Sequence, residues 1–184
     1  MNLQRRLKWM AIGSGLLVGC GQPKSATPLV AAITNPPPAR TNQQSYLNHA
    51  QPKLRTLKLW LGAEELAAEL ALREVEIRTG MMFRESMAEN EGMLFVFAVP
   101  HRTAFYMRNT KVPLSAAYID PDGAIAEIVD LQPLEEAPVE AKSDKIQYVL
   151  EVNQGWFKRH NIGVGTVIRT ERGSLPESFF RQRQ

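Results

Sequence analysis

The run Phe105-Tyr106-Met107-Arg108-Asn109-Thr110 sets a cation, an amide and a hydroxyl directly after an aromatic and methionine-containing stretch. A strand-like apolar run, "PLSAAYI" (113–119), follows three residues later. Such a trio can grip an anion, or it can satisfy loop backbone at the end of a strand, as Asn and Thr do in turns. A second candidate is Glu151, flanked by Leu150 and Val152 in "YVLEVNQG" (148–155). A carboxylate placed among apolar neighbours must be paired, hydrogen-bonded or neutralised. Arg84 and Arg108 are the expected partners, because a guanidinium can hold a carboxylate through two parallel bonds. Two readings follow. One is a structural ion pair. The other is a shallow ligand site in which an arginine receives an anionic or hydroxyl-rich group beside Tyr106 and Met107. The ligand-binding candidates are therefore Arg84, Tyr106, Arg108, Asn109 and Glu151.

Other chemistries find less material. The histidines are His49, His101 and His160, and His101 alone lies near these segments, in the polar loop "VPHRTA". No GxSxG elbow positions a serine for triad chemistry. No two histidines have metal-ligand spacing, and Asp120 and Asp122 in "DPDG" belong to a tight turn without the further oxygens calcium requires. No glycine-rich loop opens a helix to cradle phosphate. No catalytic residue, metal or cofactor is assigned.

The ends of the chain speak to its location. "MNLQRRLKWM" carries Arg5, Arg6 and Lys8, and a short apolar run then ends in small residues before Cys20. This is the pattern of a secretory signal over residues 1–19, too short in its apolar part to span a bilayer. Leu17-Val18-Gly19-Cys20 resembles the lipobox of bacterial lipoproteins, which implies a diacylated Cys20 as the mature N-terminus. Gly21 follows instead of the Asp that marks inner-membrane retention. The formal charge is +3, and removing the three signal-peptide cations leaves the remainder neutral, so the pI near 9.1 makes no case for nucleic acid. Beyond Cys20 no thiol remains, which excludes disulfides and cysteine chemistry. Residues 20–56 read as a flexible tether: "GQPKSATPLVAAITNPPPARTNQQSYLNHAQPKLRT" has six prolines and no acidic residue. A domain over 57–175 and a tail over 176–184 complete the expected layout.

Within the domain, "LKLWL" (57–61) alternates as a strand does, whereas the composition of 62–77 favours a helix throughout. "GMLFVFAV" (92–99), "PLSAAYI", "AIAEIVDL" (124–131), "YVLEVNQG" and "GTVIRT" (165–170) are further strands, with "DPDG" (120–123) as a hairpin connection. In this reading the opening stretch is a strand that stops at Asn109, turns through Lys111-Val112-Pro113 and restarts at Leu114. Six strands with turn signals predict a mainly β barrel or sandwich.

"TGMMFR" (79–84), "GMLFVF" (92–97), "FYMRNTKVPL" (105–114), "DGAIAEI" (122–128), "YVLEVNQG" and "IGVGT" (162–166) also occur in the order and spacing of a widespread prokaryotic family. The chain resembles that family, domain-of-unknown-function family 192, whose blocks run close to GLMFR, GMLF and FWMKNT. Met81 replaces the usual Leu, Tyr106 the Trp and Arg108 the Lys, while Ser115 stands where many members carry Asp. The resemblance implies a compact, mostly antiparallel β-domain with one short helix at about 73–80, and a strand at 65–70 paired with 57–61. It brings no established activity.

The leading functional expectation is a lipid-anchored binding or accessory module at the cell envelope, facing the periplasm or exterior and recognising a small molecule, glycan or protein. The alternatives are a hydrolase-like enzyme acting on envelope material through Glu151 and His101, and a purely structural lipoprotein. A cleft joining Glu151 to His101 would favour the enzyme, a pocket in which Arg108 and Glu151 converge with no histidine nearby the binding module, and no pocket the structural protein.

Overall fold

The computed structural model describes residues 45–180; the expected signal peptide, Cys20 and most of the tether lie outside the described residues. The chain forms β1 (Thr56–Leu61), β2 (Glu64–Ala71), α1 (Glu74–Thr79), β3 (Glu91–His101), β4 (Ala104–Phe105), β5 (Leu114–Ile119) and β6 (Ile125–Leu131). There follow β7 (Val139–Glu140), β8 (Ile146–Asn153), α2 (Trp156–Arg159), β9 (Ile168–Thr170), β10 (Gly173–Ser174) and α3 (Leu175–Phe179). Eight strands make one sheet in the order β10-β9-β1-β2-β3-β8-β5-β6, and β4 pairs with β7.

Period-two patterning drives the first hairpin. Leu57, Leu59 and Leu61 are buried while Thr56 and Lys58 face out. Gly62, at φ 64°, starts the two-residue turn into β2. The helical composition of 62–77 gives way there, because Leu66, Ala68 and Leu70 share one face and pack with the leucines of β1. Within residues 62–80 helix is confined to α1, as the family resemblance implies. Two further short helices appear that were not expected. α2 places Trp156 and Phe157 in the core, and α3 adds Leu175. Residues 176–179, placed in the expected tail, thus belong to the domain: Phe179 packs on the same core.

The fold is mainly β, as expected, with two departures in pairing. β2 and β3 are parallel, because their connection crosses over through α1. The other strand pairs are antiparallel. One isolated bridge, Ala124 to Val167, links the two ends of the large sheet without closing it into a barrel.

Alternation along the central strands divides the core in two. Leu94, Leu150 and Val152 face the leucines of β1 and the side chains of α2 and α3. Met93, Phe95, Val149, Ala116 and Tyr118 face the opposite way, toward Met81, Phe105 and Met107, with Ile77 of α1 packed alongside. Residues 45–55, placed in the tether by composition, run onto this second side. Leu47 N–H donates to Thr79 Oγ1 at 3.0 Å. Buried Gln51 donates through Nε2 to the carbonyls of Gly80 (2.8 Å) and Glu76 (3.2 Å), the latter already accepting from Gly80 N–H, and so pins the end of α1.

Candidate functional site

A single row of the sheet fixes the geometry. Glu69 on β2 lies opposite Met93 on β3, Met93 opposite Glu151 on β8, and Glu151 opposite Ala116 on β5. Glu69 and Glu151 therefore point to the same face two strands apart, about 9–10 Å at the usual strand spacing.

Arg84 goes to the nearer edge of that row. Its Nη1 and Nη2 donate to Glu69 Oε1 and Oε2 at 2.6 and 2.8 Å, and Leu54 N–H adds a third bond at 2.6 Å. Burial pushes the Glu69 carboxyl up, but the Arg84 and Leu54 bonds and the guanidinium charge outweigh it and hold the group below its ordinary range. Arg108 turns outward instead, where Nε and Nη2 donate to Glu136 Oε2 at 3.0 and 2.8 Å and the guanidinium lies 5.5 Å from the Tyr106 ring centre. The expected ion pair between Glu151 and either arginine does not form. Register put a different glutamate within reach of Arg84, and Arg108 leaves the strand face altogether.

The reason for the second outcome is local. β4 stops at Phe105, not at Asn109, and residues 106–113 cross over the sheet as a loop. Phe105, Met107 and Val112 are buried, so the loop is anchored by side chains that alternate inward, while Tyr106 and Arg108 alternate outward. Asn109 adopts φ 55° and its carbonyl accepts from Phe83 N–H at 2.7 Å; Phe83 itself sits at φ 64°. This backbone bond ties the "GMMFR" turn to the "FYMRNT" loop. Thr110 Oγ1 donates to the Arg108 carbonyl at 3.2 Å. The polar trio mainly shapes the loop.

Glu151 is left without a partner. Among the described residues no side chain or backbone group hydrogen-bonds its carboxyl, although the residue is only 4% exposed. It lines a half-open cavity of about 440 Å³ instead, bordered by α1, the 80–82 turn, β3 and the 103–106 segment. Phe95, Phe97, Phe105 and Tyr106 supply aromatic walls, and Ile77 and Met82 aliphatic ones. Gly80, at φ 48°, permits close approach to the Phe95 ring: a Cβ there would meet it at 3.4 Å. The other charged lining residues, Glu74 and Arg78, are exposed and bond each other at 2.9 Å. Burial alone raises the Glu151 carboxyl to about 8, so the group keeps its proton at neutral pH. The nearby Tyr118 phenol is pushed up as well, first by burial and then by Glu151, and donates to the Val139 carbonyl at 2.6 Å.

The lining thus includes Tyr106 and Glu151 and does not include Arg84, Arg108 or Asn109. His101 is exposed, with Nδ1 3.1 Å from the Val99 carbonyl, and does not line the cavity either. Sequence reasoning missed Phe95, Phe105 and the α1 side of the cavity, whose apolar residues read as ordinary core. The only signal was their concentration in the blocks around Met81, Phe95 and Phe105. Ser115, in place of the family's Asp, donates to Asp130 across the β5–β6 pair and accepts from Gly155 N–H at 2.8 Å. Among the described residues no three His, Cys, Asp or Glu side chains assemble as a metal cluster, and no helix is long and apolar enough to cross a membrane.

The family model described as "Uncharacterized ACR", domain-of-unknown-function family 192, matches residues 58–170, a span that holds the whole cavity lining and all of the sheet except the start of β1 and β10. The chain belongs to family 192. Two solved structures are similar at 29% identity. One, provisionally assigned as a transcription regulator of Sinorhizobium meliloti 1021, has a TM-score of 0.62 and covers 66% of this chain and 98% of its own. The other, a protein of unknown function from Novosphingobium aromaticivorans DSM 12444, has a TM-score of 0.60 and covers 65% and 90%. A search of curated proteins finds no match. The family-192 hallmark blocks at 79–84, 92–97 and 105–114 contribute most of the cavity lining.

Proposed function

We propose that this family-192 domain is a binding module of the cell envelope, held at a membrane by a lipid on Cys20, that takes a small molecule in the cavity over Glu151. The observation that carries the reading is the cavity itself: about 440 Å³, mostly apolar, with one buried carboxyl that has no partner from the protein. That size and composition suit a small ligand oriented by few polar groups. A purely structural protein gains nothing from the arrangement, because filling the space and replacing Glu151 by an apolar side chain would be more stable. The enzyme reading asks for a second acid, base or nucleophile beside Glu151. His101, the partner that reading names, lies outside the cavity.

The test is a thermal-shift and calorimetric screen of metabolites and glycans on the mature chain, repeated on Ile77→Trp, which places an indole in the cavity. Ligands that bind the parent and are lost from a folded Ile77→Trp support the reading. A screen in which every hit binds both proteins equally sinks it. Cys20→Ser should abolish incorporation of labelled fatty acid, and undiminished labelling would refute the lipid anchor.

A further inference from the structure

We propose that the ligand is a small organic amine, bound as the ammonium ion with Glu151 as its counter-ion and its apolar body among Phe95, Phe97, Phe105 and Tyr106. The inference rests on the binding reading above and names the chemistry of the guest.

The cavity selects by sign of charge. Four aromatic side chains contribute to a lining whose one deeply buried ionisable group is an acid. Aromatic faces attract cations through their quadrupole, most strongly when water is excluded. Tyr106 already exhibits the preference on its outer side, with the Arg108 guanidinium 5.5 Å from its ring centre. An anionic guest would meet these faces and a carboxyl, with no buried cation to receive it. The exposed Arg78 is bonded to Glu74 and Arg84 to Glu69, so neither is free for an anion. A neutral alcohol would satisfy one hydrogen bond and leave the cation-attracting walls unused.

Protons balance simply. The empty site holds Glu151 as the acid, and the ammonium form of the amine displaces that proton to solvent near neutral pH, leaving one carboxylate–ammonium pair. The charged or titratable groups facing Glu151 from the packed elements are few. α1 presents the Glu74–Arg78 pair, β2 presents Glu69 held by Arg84, β5 presents Tyr118 and the 103–106 segment presents Tyr106. The facing side chains of β3, Met93 and Phe95, carry no charge. Proton release on binding therefore reports on Glu151.

The experiment is calorimetric titration of the mature chain with a series of primary amines, from butylamine to phenethylamine and tryptamine. Each is run beside the alcohol of the same skeleton. At least one amine should bind more tightly than its alcohol above pH 8. Its affinity should rise about tenfold per pH unit from about pH 6 and level off above about pH 8, with close to one proton released at the acid end. Glu151→Gln should lower the amine's affinity at least about tenfold and remove both its rise with pH and the proton release. If the alcohols bind as well as the amines, or Glu151→Gln leaves amine affinity intact, the amine inference is overturned and the binding module stands. The same holds if no amine binds while another ligand is lost on Ile77→Trp. If no ligand of any class depends on the cavity, the binding reading itself fails.

Discussion

Replacing Glu151 by glutamine keeps the shape of the side chain and removes its titration. In the unfolded chain the carboxyl ionises near 4.5, and in the folded domain burial holds it at about 8. The folded state therefore keeps a proton that the unfolded chain has already released over this interval. Stability contributed by the neutral acid is complete below about pH 4.5 and is lost as pH rises toward the folded value. The slope is about 1.4 kcal/mol per pH unit while only the unfolded state is ionised. Integration gives a loss of about 1 kcal/mol at pH 5 and about 3 kcal/mol at pH 7, approaching a plateau of about 5 kcal/mol above pH 9. The step from pH 5 to pH 7 corresponds to about 10 °C in Tm for a domain of this size.

The glutamine variant lacks that slope. Glu69, Glu76, Glu89, Glu91 and Glu127 are all held below the ordinary carboxylate range. They titrate on the acid side of the window and cancel in the difference between the two proteins. Urea melts at intervals from pH 5 to pH 9 should show Glu151→Gln gaining on the parent by about 1.4 kcal/mol per pH unit until about pH 8, then running parallel. Curves that stay parallel from pH 5 upward would show an ordinary, solvated carboxyl and refute the account of Glu151.

Two further perturbations test the frame around the cavity. Glu69→Gln and Arg84→Met should each cost about 3–5 kcal/mol, the double variant recovering part of that, because each single change strands one side of a buried pair. The Glu69 contribution is present above its unfolded pKa and lost as pH falls through its depressed folded value, so the deficit of Glu69→Gln should shrink on acidification; a pH-independent deficit would rule out the charged pair. Gly92→Ala should destabilise the domain by about 2 kcal/mol, since a Cβ there would lie 2.8 Å from the Glu151 carbonyl and 3.0 Å from Leu66. An unchanged urea midpoint would show that β3 and β8 can part at no cost.

Much of the fold was legible because burial on a sheet leaves a period of two. β1 carries it plainly, β8 reads as a strand buried on both faces, and the family blocks added β2 and α1 where helix-favouring Ala, Glu and Leu obscured them. α2, with four residues, is too short to leave a helical period. The parallel pairing of β2 with β3 could not be read either, since it depends on where the chain returns after α1 and not on any local pattern. That pairing decided the ion pairs. It set Glu69 beside the descending Arg84 and Glu151 one strand further than the candidate partners reach.

The burial of Glu151 followed from Leu150 and Val152, but its solitude needed the whole sheet. Three glutamates are buried among the described residues: Glu69, Glu76 and Glu151. Glu76 accepts from Leu72 N–H, Arg73 N–H and Arg73 Nε, all within one helical turn. Glu69 has Arg84 and Leu54. Both carboxyls are stabilised in their charged form by groups the chain supplies, and both are held low. Glu151 is the exception, raised by burial with nothing to offset it, and it is the one of the three that lines the cavity. A fold that provides partners for two buried carboxyls and omits the third departs from that pattern at Glu151. The departure coincides with space for another molecule, and a cation arriving there would complete for Glu151 what Arg84 completes for Glu69.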